Sequence, residues 1–304
     1  MQEKASVLYR GRFAPSPTGP LHFGSLVAAL GSYLEAKRYG GVWLIRIEDL
    51  DPPREMPGAA DSILNTLENY GFEWDEEVVY QSRRLEQYAE ALEKLNTLGL
   101  IYPCICPRKD IILRCQSGQF GAIYDGHCSN NNLPLDSHRA SLRIKASSNI
   151  EFRDGIQGLI WQDLGEEVGD FNLKRRDGLY SYHIGVTVDD YLQGITHVVR
   201  GYDLLGATPR HIYLQRCLNY PMPAYSHLPL AIKQDGSKLS KQNLAVPLDS
   251  AKPTIALWEA LNLVGHSPPK ALRKAGLSEI WKWAADNWQI AKVPCASGIL
   301  SPFL

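Results

Sequence analysis

Apolar positions along the chain follow two rhythms. Residues 7–13 form a short β-type run that ends in the Pro/Gly-rich loop A-P-S-P-T-G-P. Leu26, Ala29, Leu30, Tyr33 and Leu34 then recur at i, i+3, i+4, i+7 and i+8, which predicts an amphipathic helix. Residues 42–47 are apolar and β-branched apart from Arg46, as expected of a strand buried on both faces of a parallel sheet. Ala60, Ile63, Leu64 and Leu67 predict a second helix between Pro57 and Gly71. Leu85, Tyr88, Leu92 and Leu95 predict a third, stopped by Gly99. Strand, helix, strand, helix, helix indicates an α/β domain with a parallel sheet.

The rhythm breaks near Tyr102. Residues 104–176 are rich in Cys, Gly and Asn with short β-like runs such as 140–144, and they read as an inserted module. The α/β pattern then returns. Residues 182–188 and 195–199 read as strands, and 208–218 as a helix. Residues 249–304 read as helical and Trp-rich (Trp258, Trp281, Trp283, Trp288). The expected division is two halves of one α/β domain at 1–103 and 177–248, an insertion at 104–176, and a short helical region at 249–304.

Composition narrows the class. The chain has 304 residues, 44% of them hydrophobic, with 32 Lys+Arg against 33 Asp+Glu. That excludes a disordered chain and a histone-like polycation, but not a local basic patch for nucleic acid. Residues 13–34 contain no charged side chain, yet Pro15, Pro17 and Pro20 argue for a buried loop running into a helix over a membrane span. The first ten residues hold no apolar core of the secretory type, so the expected location is cytoplasmic, with no membrane partner. In a reducing compartment, closely spaced cysteines point to metal more than to disulfides. Spacing nominates Cys104, Cys106, Cys128 and either Cys115 or His127 as four ligands of a tetrahedral zinc ion.

In R-F-A-P-S-P-T-G-P-L-H-F-G-S a strand leads through Pro and Gly into a helix start. Free backbone N–H groups and the helix dipole favour an anion such as phosphate there. Gly24 leaves room for a base to approach, and His22 can donate to a phosphate or ribose oxygen. Glu48, in R-I-E-D-L-D-P-P-R, follows the second strand, where ligands bind in open α/β sheets. Arg200 ends a later predicted strand and offers a planar fork to a carboxylate, and Tyr182 offers a directional O–H. Lys238 and Lys241, in D-G-S-K-L-S-K-Q, lie on a polar loop able to close over a triphosphate.

These strings together resemble class I aminoacyl-tRNA synthetases of the glutamyl branch, over about residues 8–248. His22-Phe23-Gly24-Ser25 resembles the HIGH signature with Ser25 in its last place, and Lys238-Leu239-Ser240-Lys241-Gln242 resembles KMSKS. The resemblance implies a Rossmann-type parallel-sheet catalytic domain split by a zinc-binding insertion. It implies His22 and Lys241 as catalytic groups, and His22, Gly24, Ser25, Lys238 and Lys241 as ATP contacts with Mg²⁺ on the phosphates. Arg12, Phe13, Ala14, Pro15, Ser16, Glu48, Tyr182 and Arg200 would hold L-glutamate. His183 stands where the parent branch commonly has Asn.

The tail at 249–304 is too short for the anticodon-binding domains of a full glutamyl-tRNA synthetase. That truncation, with L-H-F-G-S and Y-D-G-H-C, resembles the family of glutamyl-queuosine tRNA(Asp) synthetases. This family implies Cys104, Cys106, Tyr124 and Cys128 as ligands of one structural zinc. It implies ATP-dependent activation of glutamate and its transfer to queuosine in the anticodon of tRNA(Asp), by a monomer. Two alternatives are a shortened glutamyl-tRNA synthetase charging a tRNA 3′ end and a non-catalytic glutamate- or tRNA-binding paralogue.

Overall fold

A computed structural model describes residues 8–131, 133–135, 140–233 and 247–301 of the chain. Strand β1 (Arg10–Phe13), helix α1 (Phe23–Arg38), strand β2 (Val42–Ile47), helix α2 (Ala59–Asn69), strand β3 (Val79–Tyr80) and helix α3 (Leu85–Thr97) open the fold. β1 pairs with β2 and β2 with β3, both in parallel. β2 alternates between two buried faces. Trp43, Ile45 and Ile47 join one core with Leu26, Leu30 and Leu34 of α1, while Leu44 joins a second core with Tyr88, Leu92 and Leu95 of α3. Arg46, completely buried, falls on the Leu44 side by the period of two.

The middle of the chain supplies β4 (Ile101–Cys104), α4 (Arg108–Arg114), β5 (Ser117–Gly118), β6 (Gly121–Ala122) and β7 (Ser141–Ile144). It continues through β8 (Asn149–Asp154), β9 (Gly158–Asp163), α5 (Leu164–Glu167) and β10 (Phe171–Lys174). β4 and β10 flank β7 antiparallel, and β5–β6 and β8–β9 are hairpins. Ile150 and Phe152 of β8 pack into the same core as α3. Tyr102, Cys104, Tyr124 and Cys128 form a small separate cluster.

Helix α6 (Tyr182–Leu192), β11 (His197–Gly201), α7 (Thr208–Leu218) and β12 (Ala224–Leu228) return to the main sheet. β11 pairs in parallel with β12 and lies against β1, where the Thr196 amide donates to the Arg10 carbonyl over 3.0 Å. The two sequence-distant halves meet at that seam. A Cβ on Gly31 would come within 2.6 Å of Leu228 Cδ1, so α1 sits directly on β12.

Two expectations need correction. Residues 182–188 form the first turns of α6, not a strand. Ile184 to Asp190 are all buried. A helix enclosed all round shows no polar face, and its β-branched run imitates a strand. The tail is not wholly helical: after β13 (Leu230–Ile232), α8 (Pro253–Leu263) and α9 (Leu277–Asn287) comes β14 (Gly298–Leu300), which pairs in parallel with β13. The first strand starts at Arg10, and residue 7 lies outside the described residues. The uncharged stretch at 13–34 is loop followed by α1, and no helix among the described residues is long and apolar enough to cross a membrane.

The tail serves the core. Trp281 packs edge-on against Tyr33 and Phe72, and its indole N–H donates to the Tyr70 carbonyl over 2.9 Å. Trp288 stacks on His266 and donates from Nε1 to Glu35 Oε2 over 2.5 Å. Burial pushes the Glu35 carboxyl up, against the pull of the Trp288 hydrogen bond and of Arg38. Trp288→Phe removes that donor and raises Glu35 further, so it destabilises above the ordinary carboxyl pKa and much less below it. The expected penalty is about 1–3 kcal/mol at pH 8, shrinking by pH 4 as Glu35 takes its proton. Urea melts at the two pH values measure it, and equal penalties would assign the effect to ring packing alone.

Candidate active site

A cavity of about 330 Å³ opens at the carboxyl ends of β1, β2, β11 and β12. It is lined by the loop from Phe13 to Ser16, the start of α1 at His22, Gly24 and Ser25, and Arg12, Glu48, Tyr182 and Arg200. All the glutamate and ATP positions expected from sequence therefore share one cavity, apart from Lys238 and Lys241, which lie outside the described residues. The residues flanking that loop segment do approach the site. Ala231 lines the cavity, and Pro247 bridges His22.

His22 is the N-cap of α1, and its Nδ1 accepts from the Ser25 amide over 3.3 Å. The ring is therefore the tautomer with its proton on Nε2, the nitrogen that donates. No acidic residue occupies the first turn of α1, so the helix start offers uncompensated positive potential.

Below the cavity lies a fully buried ion network. Asp190 of α6 accepts from Arg12 Nε at 3.0 Å and from Arg46 NH1 at 2.8 Å. Arg46 NH1 also donates to Gln193 at 2.8 Å, and its NH2 reaches Glu48 at 3.5 Å. Burial would raise the Asp190 carboxyl, but the two guanidiniums outweigh it and hold it below the usual range. Glu48 has weaker support. Burial pushes it up to about 7 against the pull of Arg46 and Arg12. Sequence reasoning missed Asp190, although the one charged residue in an otherwise apolar buried strand, Arg46, signals that a buried acid must face it.

Arg200 is held at every edge. Its Nε donates to His227 Nε2 at 3.1 Å, NH1 to the Tyr182 hydroxyl at 3.1 Å, and NH2 to Thr208 Oγ1 at 2.8 Å. His227 Nδ1 in turn lies 2.6 Å from Asp154 Oδ2, so the carboxylate fixes the tautomer that accepts from Arg200. Burial brings His227 down to about 4, keeping it neutral, and raises Tyr182 to about 12. Asp154 comes from the β8–β9 hairpin, and nothing in its local sequence marks it.

The cysteine cluster forms a second centre. The sulfurs of Cys104, Cys106 and Cys128 lie within 4.8 Å of one another. The Tyr124 hydroxyl lies 3.2 Å from Cys104 Sγ and 3.3 Å from Cys106 Sγ, while Cys106 and Cys128 sulfurs are 3.4 Å apart. A tetrahedral zinc with bonds of about 2.3 Å separates its sulfur ligands by about 3.8 Å, so this donor set suits the ion after opening by a few tenths of an ångström. Cys115 packs against the cluster but lies outside the group of converging sulfurs. His127 is likewise outside it.

Residues 9–285 match the class I tRNA synthetase catalytic domain of the glutamate and glutamine type. The chain is 50% identical to a glutamyl-Q tRNA(Asp) synthetase of Dechloromonas aromatica, over 97% of this chain and 98% of that one. It is 48% identical to a protein of the same name from Aromatoleum aromaticum, over 97% and 93%. Among solved structures, a glutamate tRNA ligase from Elizabethkingia meningosepticum, in complex with its amino acid, superposes with a TM-score of 0.80 at 26% identity. It covers 97% of this chain and 67% of that one.

Glu48 carries a testable signature. A carboxyl raised in the folded state stabilises below its unfolded pKa, and that stability is lost as pH rises to about 7. Glu48→Gln removes the effect, so its stability relative to the parent should climb by about 3 kcal/mol between pH 4.5 and 7 and then level off. Thermal melts across that range read it, and a pH-independent difference would mean that Glu48 is ionised throughout.

Proposed function

Because the chain belongs to the class I tRNA synthetase catalytic-domain family, and within it to the glutamyl-Q tRNA(Asp) synthetases, we propose that it activates L-glutamate with ATP and transfers it to queuosine in the anticodon of tRNA(Asp). The observation that carries this is the charge of the cavity. Its wall carries the guanidiniums of Arg12 and Arg200 and the carboxyl groups of Glu48 and Asp203, with Arg46 and Asp190 paired beneath. The two guanidiniums and the Glu48 carboxyl suit the two carboxylates and one ammonium of glutamate. In this reading the remaining NH1 donor of Arg200, with the Tyr182 hydroxyl, takes a substrate carboxylate, and Glu48 takes the ammonium, which returns it to its ionised form. Arg12 contributes its remaining donors, since its Nε and NH2 are engaged by Asp190.

The first step forms an anhydride bond between a glutamate carboxylate oxygen and the α-phosphorus of ATP and breaks the α–β bridge, releasing pyrophosphate. The protein's work is positioning and electrostatic stabilisation. His22 Nε2–H and the amides opening α1 face the phosphates, Gly24 leaves space for the nucleotide, and Ser25 and Lys238 add donors. Lys241 offsets charge on the departing pyrophosphate. Mg²⁺ carried on the triphosphate supplies further charge neutralisation. In the second step a hydroxyl of the queuosine cis-diol attacks the acyl carbon to form an ester, and AMP leaves with the anhydride oxygen as its phosphate takes up the hydroxyl proton.

We divide the chain by role into catalytic halves at 1–103 and 177–248, an insertion at 104–176 and a core-filling tail at 249–304. Cys104, Cys106, Tyr124 and Cys128 would hold one structural zinc, whose contribution is to cross-link the insertion around α4. Burial, and then the hydrogen bonds with the three cysteines, raise the Tyr124 hydroxyl, so the metal must displace its proton.

Two measurements test the reading. Purified protein with Mg²⁺ should exchange pyrophosphate into ATP only when glutamate is present, and label from glutamate should reach tRNA(Asp) bearing queuosine with its 3′ terminus intact. Absence of glutamate-dependent exchange would overturn the activation step, and label on queuosine-free tRNA(Glu) would favour a shortened glutamyl-tRNA synthetase. For the metal, Cys115→Ser should keep one zinc per chain by elemental analysis, whereas Tyr124→Phe should weaken retention against a chelator at least tenfold. Loss of zinc from the Cys115 variant would replace Tyr124 by Cys115 in the ligand set.

A further inference from the structure

A larger groove of about 1540 Å³ continues from the cavity toward the cysteine cluster, with Ala14, Ser16, Glu48 and Tyr182 lining both. Several of its acids are engaged: Asp51 by Arg54 and Arg175, Asp177 by Arg175, and Asp170 by Tyr102. Four of its arginines, Arg108, Arg143, Arg176 and Arg210, have no carboxylate partner among the described residues. Arg210 is incompletely satisfied. Its NH2 donates to the Gly206 carbonyl at 3.2 Å, and its Nε is buried without an acceptor.

The remaining contact of Arg210 is frustrated by proton count. Its NH1 lies 3.3 Å from His183 Nε2, His183 Nδ1 lies 3.2 Å from His211 Nε2, and His211 Nδ1 lies 3.3 Å from Arg200 NH2. Guanidinium donors stand at both ends of this chain. If both outer ring nitrogens accept, the two ring protons must meet in the middle. Burial keeps both rings neutral, so no further protonation state relieves the clash. One of the three contacts is therefore unmade, and an acceptor arriving from the groove at Arg210 resolves it.

Phe120 stands beside Arg210. It sits at the turn between β5 and β6, its ring lies 5.4 Å from the Arg210 guanidinium, and it remains 36% exposed along the groove. Gly206 makes room for it: a Cβ there would lie 2.1 Å from Phe120 Cε1. The insertion thus delivers an aromatic ring to the rim of the catalytic cavity, next to an unpaired cation. Neither side chain lines the cavity itself.

We propose that Phe120 and Arg210 form a clamp for the acceptor nucleoside: the unstacked base of a single-stranded RNA loop stacks on Phe120, and an adjoining phosphate takes the free donors of Arg210. This rests on the transfer reaction proposed above and adds the place where its RNA is gripped. Aromatic stacking and an arginine–phosphate contact are how proteins hold splayed nucleotides.

The test separates half-reactions. Phe120→Ala and Arg210→Gln should leave glutamate-dependent pyrophosphate exchange within about twofold of the parent. In transfer to queuosine-bearing tRNA(Asp), each should raise KM on the order of tenfold to hundredfold. Phe120→Trp should restore transfer and Phe120→Leu should not. Arg210→Gln should lower the slope of log affinity against log salt by about one, measured with a labelled anticodon stem–loop. A parent-like Phe120→Leu, or an equal loss of exchange in Phe120→Ala, would overturn the clamp. If the parent itself exchanges pyrophosphate but transfers nothing, the proposed acceptor fails. Stem–loop binding then decides the clamp alone, with undiminished binding by Phe120→Ala overturning it.

Discussion

One buried carboxylate holds the site together. Asp190 lies on α6, Arg12 on β1 and Arg46 on β2, and all three are nearly inaccessible to water. Breaking one partner of such a pair leaves an uncompensated buried charge, at a cost of about 3–5 kcal/mol. The ion network therefore fixes the depth at which α6 seats under the sheet. With α6 come Tyr182 at its start, and through Tyr182 the orientation of Arg200. A core of hydrocarbon alone would tolerate small slips of this helix, whereas directional bonds to two strands do not.

The same constraint governs how the charges of the cavity are partnered. Asp190 neutralises part of the charge of Arg12 and Arg46 from below, and Glu48 remains above it with a carboxyl near 7. Among the described residues the hydrogen-bond partners of Arg200 are neutral: His227, Tyr182, Thr208, the Leu204 carbonyl and His211. Each is an acceptor that orients the guanidinium without cancelling its charge. The Asp154 carboxylate acts one step removed, through the imidazole. The β8–β9 hairpin thus helps to set Arg200, and the β5–β6 hairpin reaches the same rim through Phe120.

The tail illustrates how short appendages become core. Trp281 and Trp288 cover α1 from outside, and each hydrogen-bonds a group of the first half of the chain. Both indole N–H groups find acceptors, which lets large aromatic surfaces be buried without an orphaned donor. β14 then extends the edge of β13, beside the residues that line the cavity.

Much of this was legible in the residues themselves. The 3.6-residue periodicity of α1, α2 and α3, the unbroken apolar run of β2, and the loop from Phe13 to Ser25 depend on neighbours in sequence, so local pattern specifies them. The clustered cysteines and the carboxyl-end position of Glu48 were legible for the same reason. Helix α6 was not, because a segment enclosed on every side has no polar stripe to declare its period. Nor were Asp190, His227 and Asp154. Their roles come from partners 27 to 178 residues away, and only folding decides which buried charges meet. Sequence settled the chemistry available to the chain, and the tertiary structure chose its pairings, because desolvated charges are stable only where geometry brings their partners within hydrogen-bond reach.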